Sequence, residues 1–299
     1  DMTMGKITPL LISFTIPLVL GNLFQLLYNA VDSIIVGKFV GEDALAAVGT
    51  SNPLVTLVIL FVSGLCMGAG VLISMQYGAK DYDKLRLQLS STLIGGLVFS
   101  IAVAIVSVIA APALLRIMQT DESIMDMATA YLRIILMGLI FTFIYNFFAS
   151  ALRAMGDSKT PLYFLMISSV FNIAGDLFFV IVLRWGSNGC ALSTVISEAL
   201  SCLLCVLYIK AKIPVLCLGR KWLCFEKKTF YKTVQYGWTS AMQQATVQLG
   251  KLGIQTIVNT MGVAAMAAFA AVNRIDDFAY TPEQNIAHAM TSLLAQNEG

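Results

Sequence analysis

The chain contains 299 residues, of which 58% are hydrophobic and 12% are charged. Soluble domains average about 45–50% apolar and about 25% charged residues, so this composition excludes an ordinary soluble domain and is typical of a polytopic membrane protein. The formal net charge of +2 is too small to indicate a nucleic-acid partner,. The six cysteines lie mostly in apolar segments and His288 is the only histidine, so we expect no metal site and no cofactor,.

Eight segments are long and apolar enough to span a bilayer, which takes about 20 mostly apolar residues. They cover residues 9–37, 44–78, 88–113, 123–152, 159–184, 189–211, 229–259 and 262–294. The longest polar connection lies between the sixth and the seventh. The sequence therefore predicts an all-α helical bundle with a six-helix N-terminal lobe over 1–211, a cytoplasmic linker over 212–228, and the first two helices of a second lobe over 229–299.

Lysine and arginine are concentrated in the connections on one side of the predicted bundle, including the start of the chain and the linker. The positive-inside rule places that side in the cytoplasm. We therefore expect a multi-pass protein of the cell (plasma or inner) membrane with a cytoplasmic N-terminus.

A faint internal repeat relates the first and the second lobe. GEDALAAVGTSN at 41–52 aligns with GVAAMAAFAAVN at 262–273, at an offset of 221 residues. Parallel repeats of this kind are related by an axis along the membrane normal, with the substrate site between them. From the repeat length we expect two six-helix lobes, of which the chain holds about eight of twelve helices, with the second lobe incomplete.

Polar residues inside the apolar segments fall on helical stripes, and two of them are the aspartates Asp32 and Asp176. A carboxylate at bilayer depth costs about 2.5–3.5 kcal/mol, and such a residue usually faces a watery cavity or an ion path. The polar stripes of the other segments either form hydrogen bonds between helices or line one shared cavity. A shared cavity accounts for all of the stripes. The members are Gln25, Asn29 and Asp32; Thr142, Asn146 and Ser150; Asn172 and Asp176; Thr194, Glu198 and Ser201; and Gln244, Gln248, Lys251 and Gln255.

Pro17 lies inside the first segment, 15 residues before Asp32. Proline removes one backbone hydrogen bond and clashes with the preceding turn, which predicts a kink. The kink is either a static bend or a hinge that moves Asp32.

Several segments resemble the multidrug and toxic compound extrusion (MATE) transporters, in particular their bacterial DinF-like branch. IPLVLGNLFQLLYNAVDSIIVGKFVGEDALAAVGTSNP is similar to the first helix of that family, FNIAGDLFFVIV with NGCALSTVIS to the fifth and sixth, and AAVNRIDDFAYTPEQNIAHAMTSLLAQNEG to the eighth. The resemblance implies a monomeric secondary antiporter that exports organic, often cationic and amphipathic, compounds by alternating access in exchange for H⁺ or Na⁺. Xenobiotic export (multidrug efflux) is the expected role.

The resemblance also implies roles for individual residues. Asp32 and Asp176 would couple the ion, with Asn172, Thr194 and Tyr131 as hydrogen-bond partners and Pro17 as the hinge. The cavity and substrate candidates are Gln25, Asn29, Asn146, Gln244, Gln248 and Lys251.

Two features depart from the family pattern. The seventh segment, SAMQQATVQLGK, contains no acid where the NorM-like branch has one, which favours coupling in the N-terminal lobe. Glu198 is an acid where an amide is expected.

Three other functions compete with drug export. The alternative within the superfamily is a flippase for lipid-linked precursors or polysaccharides, whose cavity would be more basic than this one. A channel favours rings of residues from symmetric subunits, whereas the two aspartates form a single asymmetric pair. The sequence contains no GxSxG, HExxH or comparable catalytic motif, so we do not expect an enzyme.

Overall fold

The computed structural model describes residues 6–118, 120–216, 223–259 and 263–299; the side chains of 248, 249, 251, 252, 255, 256, 259, 263–271 and 273–278 are excluded from the description. These residues are helical almost throughout and contain no strand. The helices are α1 (Ile7–Phe39), α2 (Glu42–Gly78), α3 (Tyr82–Ile117), α4 (Glu122–Met137), α5 (Leu139–Ala154), α6 (Lys159–Asp176), α7 (Gly186–Lys212), α8 (Lys227–Asn259) and α9 (Val263–Glu298). A π-helical segment, Leu177–Val182, continues α6.

Five of the described helices are long and apolar enough to cross a membrane, and the bent pair α4–α5 makes a sixth if it is counted as one span. The more polar α8 and α9 are also long, with 33 and 36 residues. Each predicted segment thus corresponds to one helix or to one interrupted helix. The all-α membrane fold is confirmed.

The fourth predicted segment differs from a single helix, because it bends by 41° between α4 and α5. The break falls at Gly138, where an added Cβ would lie 2.7 Å from a methyl group of Val195 on α7. The absence of a side chain at Gly138 lets α7 approach at that level.

Glycines allow α2 to pack closely against α8. A Cβ on Gly64 would lie 2.7 Å from the Cβ of Ala241, and one on Gly68 would lie 2.7 Å from the carbonyl oxygen of Thr233. Lipid provides little hydrophobic drive for helix association, so close van der Waals contact between backbones is what holds such pairs together.

Buried polar side chains hold α3 to α8 beside this contact. Gln88 Nε2 donates to Thr92 Oγ1 at 2.9 Å and to Thr233 Oγ1 at 2.5 Å, and the two threonine hydroxyls are 3.2 Å apart. At the far end of α9, the side chain of Gln296 donates to the carbonyl oxygen of Ala154.

The predicted linker over 212–228 is anchored in both of its described parts. Leu216 is buried in the hydrophobic cluster that contains Phe143 and Phe147. At the other end, the backbone N–H groups of Cys224 and Glu226 donate to the hydroxyl groups of Ser90 and Ser91 on α3. The linker therefore makes specific contacts with the helices that precede it.

Helix lengths follow the internal repeat. α1 and α8 both contain 33 residues, and α8 begins at residue 227 where α1 begins at residue 7. α2 contains 37 residues and α9 contains 36, with starts at residues 42 and 263. The alignment predicted from 41–52 and 262–273 therefore coincides with the start of a long helix in both copies.

Aspartates cap two helices outside the apolar spans. The Asp81 carboxylate accepts from the backbone N–H of Lys84 at 3.1 Å and lies 2.7 Å from the ammonium group of the same residue. Asp121 accepts from the backbone N–H of Ser123 at 2.8 Å. These hydrogen bonds lower the pKa of both aspartates, so both caps carry a negative charge at the positive end of a helix,.

The α2–α8 contact predicts that Gly68→Ala destabilises the protein, whereas Gly49→Ala on the same helix does not. Alanine at 68 would collide with backbone atoms of α8, at a cost of about 1–3 kcal/mol for overpacking. Nothing lies within 4 Å of a Cβ at Gly49, so alanine there should only favour the helix,. Thermal melting of the purified full-length variants in detergent measures the difference; equal melting temperatures would contradict the packing account.

Candidate functional site

A cavity of about 640 Å³ lies among α1, α2, α4, α5, α6 and α7. We call it the central cavity; all of its described lining residues lie between Pro17 and Ser201. The polar stripes of four predicted segments meet in it. They contribute Gln25, Asn29 and Asp32 from α1, Thr142 and Asn146 from α5, Asn172 from α6, and Thr194, Glu198 and Ser201 from α7.

Asp32 and Asp176 form a pair at the wall of this cavity. Asp32 is half-buried and lines the cavity, whereas Asp176 lies behind it and is 0% exposed. A carboxylate oxygen of each residue and the sulfur of Cys190 all lie within 4.8 Å of one another. The sequence placed these aspartates on different helices, and the structure brings them together.

Three oxygen atoms of this aspartate pair receive no hydrogen bond from the protein. They are Oδ1 of Asp32 and both carboxylate oxygens of Asp176, and all three are buried. Among the described residues, neither aspartate makes an ion pair with lysine or arginine. Two adjacent carboxylates without donors or counter-charges repel each other, so the pair requires a shared proton or a bound cation.

The local fold between α6 and α7 positions Asp176. It is the last residue of α6, and the π-helical segment begins directly after it. The chain then reverses through positive φ angles at Arg184 (57°) and Gly186 (60°). π-Helical turns occur frequently at functional sites, where they alter the direction of side chains.

Close approach of α6 and α7 completes the pair's surroundings. A Cβ on Gly175 would lie 2.5 Å from Ser193 Oγ, and one on Gly189 would lie 2.9 Å from the Cβ of Phe179. Two glycines in the sequence therefore allow α7 to pass next to the aspartate pair.

Asn172 bonds to α7 rather than to the aspartate one turn away. Its amide nitrogen is 3.4 Å from both Ser193 Oγ and Thr194 Oγ1, while Ser193 Oγ donates to the backbone carbonyl of Asn172 at 2.8 Å. The i, i+4 spacing had indicated a hydrogen bond from this amide to Asp176. Contact between helices overrides the local spacing here, and Asn172 Oδ1 remains buried without a donor.

Tyr131 and Pro17 both reach the central cavity. Tyr131 is 8% exposed and packs in an apolar cluster with Ile35, Val36 and Cys190. Ile35 and Val36 lie one turn after Asp32 on α1. Pro17 lies within α1, which runs as one helix from Ile7 to Phe39. The hinge role of Pro17 stays a prediction.

Not every residue of the polar stripes lines the cavity. Ser150 donates to the carbonyl oxygen of Cys66 at 2.8 Å and joins α5 to α2. Gln244 lies 3.2 Å from the sulfur of Met67 and is absent from the described cavity lining, because the tight α2–α8 contact occupies that face. The side chains of Gln248 and Lys251 lie outside the described residues.

Sequence reasoning missed several residues of the site. Cys190 was interpreted as a small apolar residue, although it precedes Thr194 and Glu198 at four-residue spacing and so continues the polar stripe of α7,. Tyr145 and Arg153 also line the cavity. Arg153 follows directly after the fourth predicted segment, 123–152, and belongs to none of the predicted polar stripes.

The donor set at the aspartate pair suits a proton or a hard cation. The two carboxylates are oxygen ligands, which hard cations prefer, whereas the Cys190 sulfur suits softer metals,.

The fold and this site together define an α-helical, multi-pass membrane protein with a polar cavity and a buried acidic pair. The MatE family model matches residues 17–178. Two relatives from Bacillus subtilis are each 31% identical: the probable multidrug resistance protein YpnP over 100% of this chain and 67% of its own length, and the probable multidrug resistance protein YoeA over 96% and 63%. The chain therefore belongs to the MatE family, as its sequence motifs had indicated.

Solved structures show the same fold. The chain matches the crystal structure of MATE in complex with MaD5 with a TM-score of 0.92 and 25% identity, over 100% of this chain and 68% of that chain. The chain thus spans about two thirds of the length of the relatives and structures that it matches.

The α6–α7 contact predicts that Asn172→Ala destabilises the protein more than Asn188→Ala. Alanine at 172 leaves the buried hydroxyl of Ser193 and the partly buried hydroxyl of Thr194 without a partner amide, at a cost of about 1–3 kcal/mol,. Asn188 is exposed at the start of α7 and serves as the matched control. Melting temperatures of the purified full-length variants should separate; an Asn172→Ala variant as stable as its control would show that the network is dispensable.

Proposed function

We propose that the full-length protein is a secondary active antiporter that exports organic, cationic and amphipathic compounds in exchange for H⁺ or Na⁺. Asp32 and Asp176 couple the two flows, with Asn172, Thr194 and Tyr131 around them. Family membership and relatives named as multidrug resistance proteins support this function.

One observation carries the proposal: three buried oxygens of the aspartate pair have no hydrogen-bond donor. A structural carboxylate is normally satisfied by donors or by an ion pair. This pair is instead next to a cavity, so a proton or a cation from water can reach it through Asp32. The site therefore favours reversible ion binding over a purely structural role.

Ion binding at the pair can bias the packing of α1. Without a bound ion, the carboxylates of Asp32 on α1 and Asp176 on α6 repel each other. A bound ion attracts both carboxylates and so removes this repulsion. If cargo binds better to one arrangement of α1 and the ion to the other, the two flows are thermodynamically linked. The proline in α1 supplies a weak point at which the helix can bend.

The charge of the cavity favours a cationic cargo over the alternative flippase function. A lipid-linked pyrophosphate requires cationic side chains, and Arg153 is the only basic residue in the described cavity lining. Asp32 and Glu198 are acidic. We place the protein in the cell membrane as a monomer with a cytoplasmic N-terminus, with small organic compounds and the lipid bilayer as its partners.

Asp32→Asn and Asp176→Asn should each abolish ion-driven export by the full-length protein. Asparagine keeps the size of the side chain but cannot ionise, so neither variant can exchange an ion at the pair. The measurement is efflux of a fluorescent cation from proteoliposomes after a pH or Na⁺ gradient is imposed.

Asp126→Asn is the matched control, because Asp126 is exposed on α4. It should export at the parental rate, and all variants should be compared for expression and melting temperature. Parental efflux by well-folded Asp32→Asn and Asp176→Asn proteins would make the pair structural and refute this mechanism.

A further inference from the structure

Glu198 is an acidic side chain of the central cavity that is not part of the aspartate pair. Its carboxylate accepts a hydrogen bond from Thr142 Oγ1 at 2.5 Å, so α5 fixes the orientation of a group carried by α7. Both residues line the cavity. The 41° break between α4 and α5 lies one turn before Thr142, at Gly138.

Glu198 is separated from the aspartate pair along α7. Cys190 marks the level of the pair, and Glu198 follows it by eight residues, a rise of about 12 Å in an α-helix. Thr194 lies between them on the same stripe and is bound to Asn172. The cavity therefore contains two acidic positions at different depths.

Glu198 has no basic partner among the described residues. The cavity's arginine, Arg153, directs its Nε–H to the carbonyl oxygen of Ala149 at 3.0 Å and makes no ion pair with Glu198. A carboxylate held in a largely enclosed site without a counter-charge is costly. A positively charged ligand in the cavity would supply the missing charge.

Aromatic side chains flank the same space. Tyr28 and Tyr145 both line the cavity, and Tyr28 lies within electrostatic range of both Glu198 and Asp32. The hydroxyl group of Tyr145 is fixed by a 3.1 Å hydrogen bond to the carbonyl oxygen of Pro161, so this side chain is held in place. Aromatic rings beside a carboxylate are suited to organic cations, through cation–π contact and apolar packing.

We propose that Glu198 is the cargo subsite of the central cavity and binds the positively charged centre of a monovalent organic cation with aromatic substituents. Thr142 positions the carboxylate, and Tyr28 and Tyr145 contact the substituents. This inference rests on the proposed export function, since it takes the central cavity as the place where cargo binds. It adds that cargo and coupling ion use different carboxylates, so that both can be bound at once.

Equilibrium binding to the purified full-length protein tests this subsite with a matched pair of probes. Tetraphenylphosphonium is a permanent cation, and triphenylphosphine oxide is an uncharged relative with the same aromatic groups. Glu198→Gln should weaken tetraphenylphosphonium binding by roughly tenfold or more, because it removes a charged partner from a desolvated site. Binding of triphenylphosphine oxide should change by less than about twofold, since its packing with the rings is kept.

Two further variants separate cargo recognition from structure. Thr142→Val removes the hydroxyl that orients Glu198 and should weaken tetraphenylphosphonium binding by a smaller factor than Glu198→Gln does. Glu122→Gln changes an exposed glutamate of α4 and should leave binding of both probes unchanged. Melting temperatures are recorded for every variant, and Glu198→Gln should melt within a few degrees of the parent.

Asp32→Asn distinguishes this inference from the export mechanism. It should still bind tetraphenylphosphonium, although ion-driven efflux is lost. The subsite is refuted if Glu198→Gln binds tetraphenylphosphonium like the parent, if it weakens both probes equally, or if the parent does not bind the cation. Gradient-driven export by Asp32→Asn is measured separately, so failure of the subsite and failure of the proposed function are distinguishable.

Discussion

Repulsion between two buried carboxyl groups is the interaction on which the rest of the site depends. Asp32 and Asp176 come from helices far apart in sequence, and their buried oxygens receive no donor from the protein. Such a pair is costly in a membrane interior unless a proton or a cation neutralises it. The surrounding fold must therefore hold the two groups together and also leave a path to water, which Asp32 provides at the cavity wall.

Helix packing with glycine meets the first of these requirements. Gly175 and Gly189 bring α6 and α7 into contact beside Asp176, and the π-helical segment directs the chain around it. Asp32 meets the second requirement, because it lines the central cavity. The break at Gly138 lies one turn before Thr142, whose hydroxyl donates to Glu198 of α7 in the same cavity. The same small residues that replace hydrophobic drive in lipid thus also shape the cavity.

The central cavity has acidic groups at two levels, which we assign to the ion and to the cargo. The aspartate pair lies at the level of Cys190 on α7, and Glu198 lies about two turns further along that helix. An ion at the aspartate pair and a cargo cation at Glu198 affect each other through the packing of the helices between them. They do not compete for the same carboxylate. Coupling would then depend on how ion binding changes the packing of α1, on which Tyr28 and Asp32 both lie.

The sequence alone was sufficient for the long apolar helices, and it singled out the two aspartates because charge at membrane depth is rare. Their coupling role stays a proposal. It was not sufficient for tertiary details. The bend at Gly138 depends on how closely Val195 approaches, Gln244 is taken up by the α2–α8 contact, and the Asn172 amide bonds to α7. Each of these outcomes is decided by a neighbouring helix, and helical spacing contains no information about neighbours.

Infrared difference spectroscopy of the purified full-length protein tests the aspartate pair most directly, with pH and Na⁺ as the variables. Our account predicts a carboxylic-acid signal that disappears when the pH is raised or when Na⁺ binds, and that is missing from both Asp32→Asn and Asp176→Asn. Persistence of the same signal in both variants, or the absence of any ion-dependent carboxyl signal in the parent, would contradict it.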